Sequence, residues 1–427
     1  MMSGKLIIRD FDPFAALPLF RRLRNVNSWL VGLPIAVIIA GLVVSACAIS
    51  GTLGVARDFQ PVQDLRRVFG IDHPPASPPS MPLIRDITSW YLAFVVVATC
   101  IIVHRQWQRM GRCLSDLAEN DVLLPKGRIE RNRVFRLLRL NRYVDRGMPA
   151  TALDSFIGRV NELVMLRISK WAPVISGIAA LLVISLIIGE KQGLVHVLEP
   201  EHLSAAGRQQ WLTKTYESWW ASFNHPLGLV VYFLAAFLGA YVIVLQNLIG
   251  VTAVYAVVAL STLIEFDADW LNRDGHYGWK PLDRIFRTVY LSLCLHGLTI
   301  SVLLVVLGLQ NFPWIAGLVA IWVVVVPLYI FVPWILFRRL EARVRQRRMA
   351  SLSRLSSGLS LNPGIDFDQV SAVISEIERV RKARIRPIRL LVPEIATFGI
   401  AVLLPLILTA AQIWFSIGFG PSKGLGH

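Results

Sequence analysis

Three acids and a histidine lie within ten residues of one another, at Asp267, Asp269, Asp274 and His276. Carboxylate oxygens together with an imidazole could hold a hard cation such as Mg²⁺. The Asp-Gly and Gly-Trp-Lys-Pro sequences of the same stretch are typical of turns. A second Asp-x-Asp, at residues 10–12, has no histidine beside it, which favours a structural turn. We therefore predict no bound metal and no cofactor, and a metal site on these four residues is the alternative.

A few polar side chains interrupt long apolar stretches of the chain: His296, Gln246, Asn247 and Gln412. An ionisable residue inside a membrane span is by default a candidate for function. The simpler explanation is a hydrogen bond between packed helices. Prolines within several of the same stretches would kink or break helices at depth, which suits a transporter or a channel.

Two segments rich in arginine each follow an apolar stretch. Cytoplasmic loops of membrane proteins carry an excess of Lys and Arg, so this charge predicts cytoplasmic placement. The same side chains could bind anionic lipid headgroups, or dock a cytosolic or membrane protein partner. Nucleic acid is the least favoured ligand, because the chain has no recognition module. The candidate residues for lipid or partner binding are Arg131, Arg133, Arg136, Arg139, Arg338, Arg339, Arg343, Arg345, Arg347 and Arg348.

The elements that position these residues are membrane-crossing helices. Of the 427 residues, 55% are hydrophobic and 17% are charged, against roughly 25% charged in soluble domains. A single charge, Glu394, interrupts seven stretches that approach or exceed the roughly 20 residues needed to cross a bilayer. We predict an all-α polytopic membrane protein with seven transmembrane helices. The stretches are 29–50, 88–104, 171–189, 226–264, 288–310, 311–337 and 390–417.

One of these stretches, 226–264, is too long for a single crossing. A helix of that length measures about 58 Å, whereas the hydrocarbon core is about 30 Å thick. Two crossings would place the arginine-rich segment 338–389 outside. We therefore predict one crossing near 227–249, followed by a buried, kinked or interfacial segment over 251–264.

Seven crossings with a cytoplasmic N-terminus place both arginine-rich segments, 105–170 and 338–389, in the cytoplasm. Each is predicted to be helical, and the C-terminus then lies outside. The outer segment 190–225 contains a cluster of tryptophans that includes Trp219 and Trp220. Tryptophans beside a span usually form an aromatic belt at the membrane surface, and we predict one here.

Short patterns recur in the two halves of the chain. Leu-Ile-x2-Asp-x-Asp occurs at 6–12 and again at 263–269, and Asp-x7-Glu-x4-Arg-x5-Pro occurs at 154–173 and again at 368–387. Tandem halves in a membrane protein define a pseudo-twofold plan, so we predict parallel repeats in a three, one, three arrangement of spans. The parts are repeat 1 (1–189), an outer loop with a linker span (190–262), repeat 2 (263–417) and a tail (418–427).

The stretch from the Asp274-Gly275 turn through Pro281-Leu282, and then residues 376–405, resembles uncharacterised bacterial multi-pass membrane proteins that have a similar Asp-Gly…Pro-Leu cytoplasmic loop. The resemblance covers mainly the second half. It implies a bacterial inner (cytoplasmic) membrane location and brings no known activity with it.

The motifs of common enzymes are absent from the sequence, including GxSxG, HExxH and the Walker A pattern. We therefore expect a non-enzymatic membrane component: a scaffold, sensor or effector that acts through its basic cytoplasmic helices. The alternative is a transporter or channel with a pathway between the two repeats, lined by His296 and the proline-kinked spans.

Overall fold

The computed structural model describes the greater part of the chain, and the fold is described from those residues alone. They are 22–68, 73, 75–125, 133–137, 149–163, 169–189, 203–307, 313–360, 367–383, 385, 396 and 399–418.

The described part of the chain is helical apart from one two-stranded antiparallel sheet, which confirms the all-α class. The helices are α1 (Ser28–Ile49), α2 (Pro61–Val68), α3 (Ile87–Glu119), α4 (Arg133–Leu137), α5 (Pro149–Leu163), α6 (Ser169–Gly189), α7 (Ala205–Glu217), α8 (Pro226–Leu263), α9 (Lys280–Leu307), α10 (Pro313–Ser360), α11 (Phe367–Lys382) and α12 (Leu404–Gly418). The strands are β1 (Leu123–Pro125) and β2 (Ile264–Phe266).

Five helices within the described residues are long and apolar enough to cross a membrane, which indicates a multi-pass membrane protein. Two shorter apolar helices, Lys170–Leu182 and Gly399–Ala411, lie where the sequence predicts the third and seventh spans. The count of seven and the repeat arrangement stay predictions. The five are Ser28–Ile49, Ile87–Glu119, Pro226–Asn247, Lys280–Leu304 and Trp322–Ser357.

The seventh apolar stretch contains a π-helical turn, Gly399–Leu403, just before α12. A side chain at Gly297 of α9 would overlap the backbone of Ala401 in this turn, so the two segments touch closely. Trp322 of α10 donates its indole N–H to the Ala401 carbonyl at 2.7 Å. The turn is therefore held between α9 and α10, and the Ala401 carbonyl has a hydrogen-bond donor inside the apolar region.

Three helices are much longer than the roughly 20 residues needed to cross a bilayer, and they pack together at one end of the molecule. Helices α3, α8 and α10 have 33, 38 and 48 residues, and the longest measures about 72 Å at 1.5 Å per residue. Helix α8 runs unbroken through 251–263, where Ala259, Leu260 and Leu263 are buried. The second part of this segment is therefore buried, whereas Val251 at its beginning is exposed.

The two strands join the ends of these long helices. Strand β1 follows α3, strand β2 follows α8, and Leu124 pairs with Glu265 across the sheet. Sequence reasoning predicted no strand here, because three residues are too short to show an alternating pattern. We call this end of the molecule, with α5, α11 and the sheet, the basic end.

The opposite end is built around a buried carboxylate, Asp86, at the start of α3. One oxygen of Asp86 accepts from the backbone N–H of Ser89 at 3.1 Å. The other accepts from the indole N–H groups of Trp219 and Trp220 at 2.8 and 2.9 Å. Trp211 is buried as well. The predicted aromatic belt at the membrane surface is therefore wrong. The indole rings are buried in the protein, where they supply the hydrogen-bond donors that the buried carboxylate of Asp86 requires.

Several predicted features lie outside the described residues. They include the first copy of the short repeat, at 6–12, and the basic residues Arg131 and Arg139. The proposed repeats and domain limits remain predictions.

Gly297→Ala should destabilise the protein, because the added Cβ overlaps the backbone of Ala401 and forces α9 to shift. Gly317→Ala is the matched control, since its Cβ would meet no atom within 4 Å. In detergent we expect a melting temperature several degrees lower for Gly297→Ala. The control should be unchanged or higher, because alanine is the better helix former. Equal melting temperatures would contradict the close contact.

Candidate functional site

The loop between β2 and α9 contains the four candidates for metal binding. Asp267 accepts the backbone N–H of Ala268 at 2.8 Å. Asp269 accepts those of Leu271 and Arg273, each at 3.1 Å. Side chains of Asp commonly stabilise turns in this way. These two carboxylates therefore face the backbone of their own loop.

Asp274 is the centre of the loop. One of its oxygens accepts the backbone N–H groups of His276 and Gly278 at 2.7 and 2.9 Å, and the other accepts that of Lys280 at 3.1 Å. Burial by itself would raise the pKa of Asp274, but the three backbone donors outweigh it and the pKa is lowered. The ionised carboxylate thus closes the loop onto the first residue of α9.

The backbone of the loop explains its glycines. Gly275 and Gly278 have φ of 73° and 84°, in the left-handed region that glycine adopts without strain. A Cβ at Gly278 would also overlap the side chain of Val122, next to β1. Across the part of the chain that the structure describes, no three His, Cys, Asp or Glu side chains are placed to share a metal ion. The geometry is that of a turn that packs against the sheet.

Half of the arginines in 338–348 are held by internal contacts. Arg345 pairs with Glu341 at 2.9 Å and also donates to the carbonyl of Ala383. Arg347 pairs with Glu265 of β2. These contacts attach the extension of α10 to the sheet and to the end of α11.

Arg348 completes this bracing. It pairs with Glu376 of α11 at 3.4 Å and lies 5.7 Å from the ring centre of Trp270 in the loop. Arg379 of α11 donates to the Trp270 carbonyl. The loop, α10 and α11 therefore form one unit at the basic end.

The other arginines of this segment face outward. Arg338 lies 5.2 Å from the ring centre of Trp334. Arg339 and Arg343 are exposed, lie four residues apart on one face of α10, and have no acidic partner among the described residues. Arg133 and Arg136 are exposed on the short helix α4, whereas Arg131 and Arg139 are outside the described residues.

The intramembrane candidates fall partly into one cluster. Gln246 of α8 donates from Nε2 to the hydroxyl of Ser292 on α9, and that hydroxyl lies 3.4 Å from His296 Nδ1. The imidazole of His296 meets Trp322 edge-on, with ring centres 6.0 Å apart. Gln246 Oε1 and His296 Nε2 are buried and have no partner among the described residues.

The remaining intramembrane candidates have other surroundings. The side chain of Asn247 donates from Nδ2 to the Ile243 carbonyl at 2.9 Å. The backbone carbonyl of Asn247 accepts from the Tyr329 hydroxyl at 3.1 Å. Gln412 lies on α12, and its side chain is outside the described part. Ser292 is the member of the cluster that sequence reasoning missed; its spacing of four residues from His296 was the available signal.

An apolar cavity lies between five helices at the basic end. Its lining includes Leu114 of α3, Ile157 of α5, Val257 of α8, Phe286 of α9 and Val332 of α10. These residues look in the sequence like ordinary core residues, so no sequence signal could have identified the cavity.

The cavity approaches the intramembrane polar cluster. Gly250, one helical turn after Gln246 on α8, lines it, and so does Val289, three residues before Ser292 on α9. Apolar pockets with a few polar groups nearby are common sites for binding small molecules.

Comparisons with protein-family models, with curated proteins and with solved structures find no match to this chain.

Asp274→Ala should loosen the loop, because it removes the acceptor of three backbone N–H groups. We expect the amides of His276, Gly278 and Lys280 to exchange with deuterium about five- to tenfold faster, as the loss of about one hydrogen bond's net stability implies. Asp274→Asn keeps one acceptor oxygen, so its amide exchange rates should lie between those of Asp274→Ala and wild type. Identical exchange in all three proteins at pH 7 would contradict this role.

The stabilisation by Asp274 should also depend on pH. A carboxyl whose pKa is lowered by folding stabilises the folded loop above its ordinary pKa of about 3.9, and the effect is lost as the pH falls through the lowered value. The difference in melting temperature between wild type and Asp274→Ala should therefore be full at pH 6 and shrink on acidification. A difference that grows below pH 4 would be the opposite of the expected sign.

Proposed function

We propose that this chain is a non-enzymatic, multi-pass protein of the bacterial inner membrane that acts as a scaffold, sensor or effector. In this proposal the basic end faces the cytoplasm, the N-terminus is cytoplasmic and the C-terminus lies outside. The spans number seven, arranged as two parallel repeats joined by a linker span. Five membrane-length helices and two shorter apolar ones are compatible with that plan.

One observation carries the functional proposal: α10 presents exposed arginines on a braced support. The extension of α10 is held in place by Arg345, Arg347 and Arg348. On the same helix, Arg339 and Arg343 are exposed. A fixed cationic face loses little conformational entropy when it binds, so it suits an anionic lipid surface or an acidic partner protein.

Reversing the outward charges should abolish partner binding without unfolding the protein. We expect Arg339→Glu with Arg343→Glu to lose a stoichiometric partner that wild type retains in native mass spectrometry after mild extraction. Membrane insertion and melting temperature should stay unchanged, because neither side chain has an ion pair with the described residues to lose.

The matched control carries the same change of charge at the other end of the molecule. Arg57→Glu with Lys214→Glu, both exposed there, should retain the partner. Partner loss in both double variants, or in neither, would argue against a docking face on α10.

A transporter or channel is the second candidate, and the polar cluster within the membrane favours it. Gln246 Oε1 and His296 Nε2 are buried without partners among the described residues, one to two helical turns from an apolar cavity. Leaving polar atoms unsatisfied at this depth costs free energy, which a passing ligand or ion could offset.

His296→Ala tests this second candidate. If the cluster lines a pathway, liposomes containing wild type should pass protons, as reported by entrapped pyranine, and His296→Ala should change that flux severalfold. Ser301→Ala is the control, because Ser301 lies on the same helix and its hydroxyl donates to the Gly297 carbonyl of that helix. Flux equal to that of protein-free liposomes would leave His296 with a packing role.

A further inference from the structure

Four arginines that are not among the ten predicted candidates for lipid or partner binding gather on one side of the molecule. Arg105 and Arg109 lie one turn apart on α3, and Arg284 and Arg287 lie at the start of α9. The guanidinium of Arg109 is close enough to those of Arg105, Arg284 and Arg287 to be repelled by them. We call these four residues the α3–α9 arginine cluster.

Contacts within the cluster fix its position. Arg109 donates to the Arg284 carbonyl at 2.6 Å, which ties the basic ends of the two helices together. Arg105 lies 5.5 Å from the ring centre of Trp29 on α1. Arg287 pairs with the buried carboxylate of Asp283 at 2.9 Å.

The charge of the cluster is far from balanced. Among the described residues, the four guanidinium groups have one carboxylate nearby, that of Asp283, which also acts on Arg109. Like charges held this close repel one another, and the repulsion is stronger beside an apolar phase than in water. An anion placed between the two helices would relieve it, and guanidinium groups match a phosphate geometrically.

An apolar surface leads from the cluster into the membrane. Along α9, Arg284 and Arg287 are followed at helical spacing by Leu291 and Leu298, which are 52% and 42% exposed. On α3, Phe94 is 63% exposed farther from the basic end. The helices run antiparallel over this length, because the Tyr91 hydroxyl of α3 lies 3.4 Å from that of Thr299 on α9.

We propose that the α3–α9 arginine cluster binds the phosphate headgroup of an anionic phospholipid, with the acyl chains lying along the exposed apolar stripe of α9. Cationic groups at one end and a continuous apolar surface beyond them match the two parts of such a lipid. A soluble phosphate would use the arginines but gain nothing from the stripe. The site needs the helices to lie in a membrane, and it does not depend on a partner at Arg339 and Arg343.

The test is a titration of the full-length protein in detergent, followed by native mass spectrometry. The probes are cardiolipin, phosphatidylglycerol, phosphatidylcholine and inorganic phosphate. Wild type should retain the two anionic lipids in preference to phosphatidylcholine. Arg284→Gln with Arg287→Gln should weaken anionic-lipid binding about tenfold or more, as the loss of two near-surface cations implies.

Two further variants keep the result interpretable. Arg284→Lys with Arg287→Lys keeps the charge and should bind within a few-fold of wild type, so a folding defect is separated from a loss of charge. Arg57→Gln with Lys214→Gln removes two exposed cations at the opposite end of the molecule and should bind the lipids as wild type does.

Three outcomes would overturn the proposal. The first is no preference for anionic lipid over phosphatidylcholine. The second is an equal loss in the Arg57 and Lys214 control. The third is competition by inorganic phosphate as strong as that by lipid, which would identify a soluble-anion site instead.

Discussion

The structure depends on one constraint: polar groups within apolar helices must find partners inside the protein, because hydrocarbon supplies none. Hydroxyls on the spans bond carbonyls one turn earlier on the same helix, as Thr99 does to Val95 and Ser301 to Gly297. The π turn before α12 offers a carbonyl to the indole of Trp322. Such pairing lets small polar residues lie within the spans at a low cost in free energy. The buried Gln246 Oε1 and His296 Nε2, which have no partner among the described residues, are exceptions to this pattern.

The same constraint shapes the two ends of the molecule differently. At one end a carboxylate, Asp86, is buried and receives indole N–H groups instead of a cation. At the basic end three long helices leave the apolar region and pack through an apolar core, with arginines paired to acids around it. One end is therefore closed and largely neutral, and the other presents cationic side chains to its surroundings.

Arginine has three separate uses in this chain. Some residues, such as Arg347, hold elements together, and others, such as Arg339, face outward from a rigid helix. A third group gathers where the apolar part of α3 ends and that of α9 begins. Positive charge that the sequence explains as a signal for membrane orientation thus becomes, in three dimensions, a set of surfaces with different chemistry. The proposed scaffold role and the proposed lipid site draw on different members of that set.

The sequence by itself determined the helical class and the apolar stretches that form membrane-length helices, because hydrophobicity and charge are properties of local composition. It also indicated the turn at Asp274-Gly275, since that signal is local. Only the tertiary structure decided which arginines are paired, because Arg348 and Glu376 are 28 residues apart and Arg347 and Glu265 are 82 apart. It also placed Trp219 and Trp220 on Asp86, more than 130 residues away. Pairings over such separations follow from how the helices pack, and no local pattern encodes them.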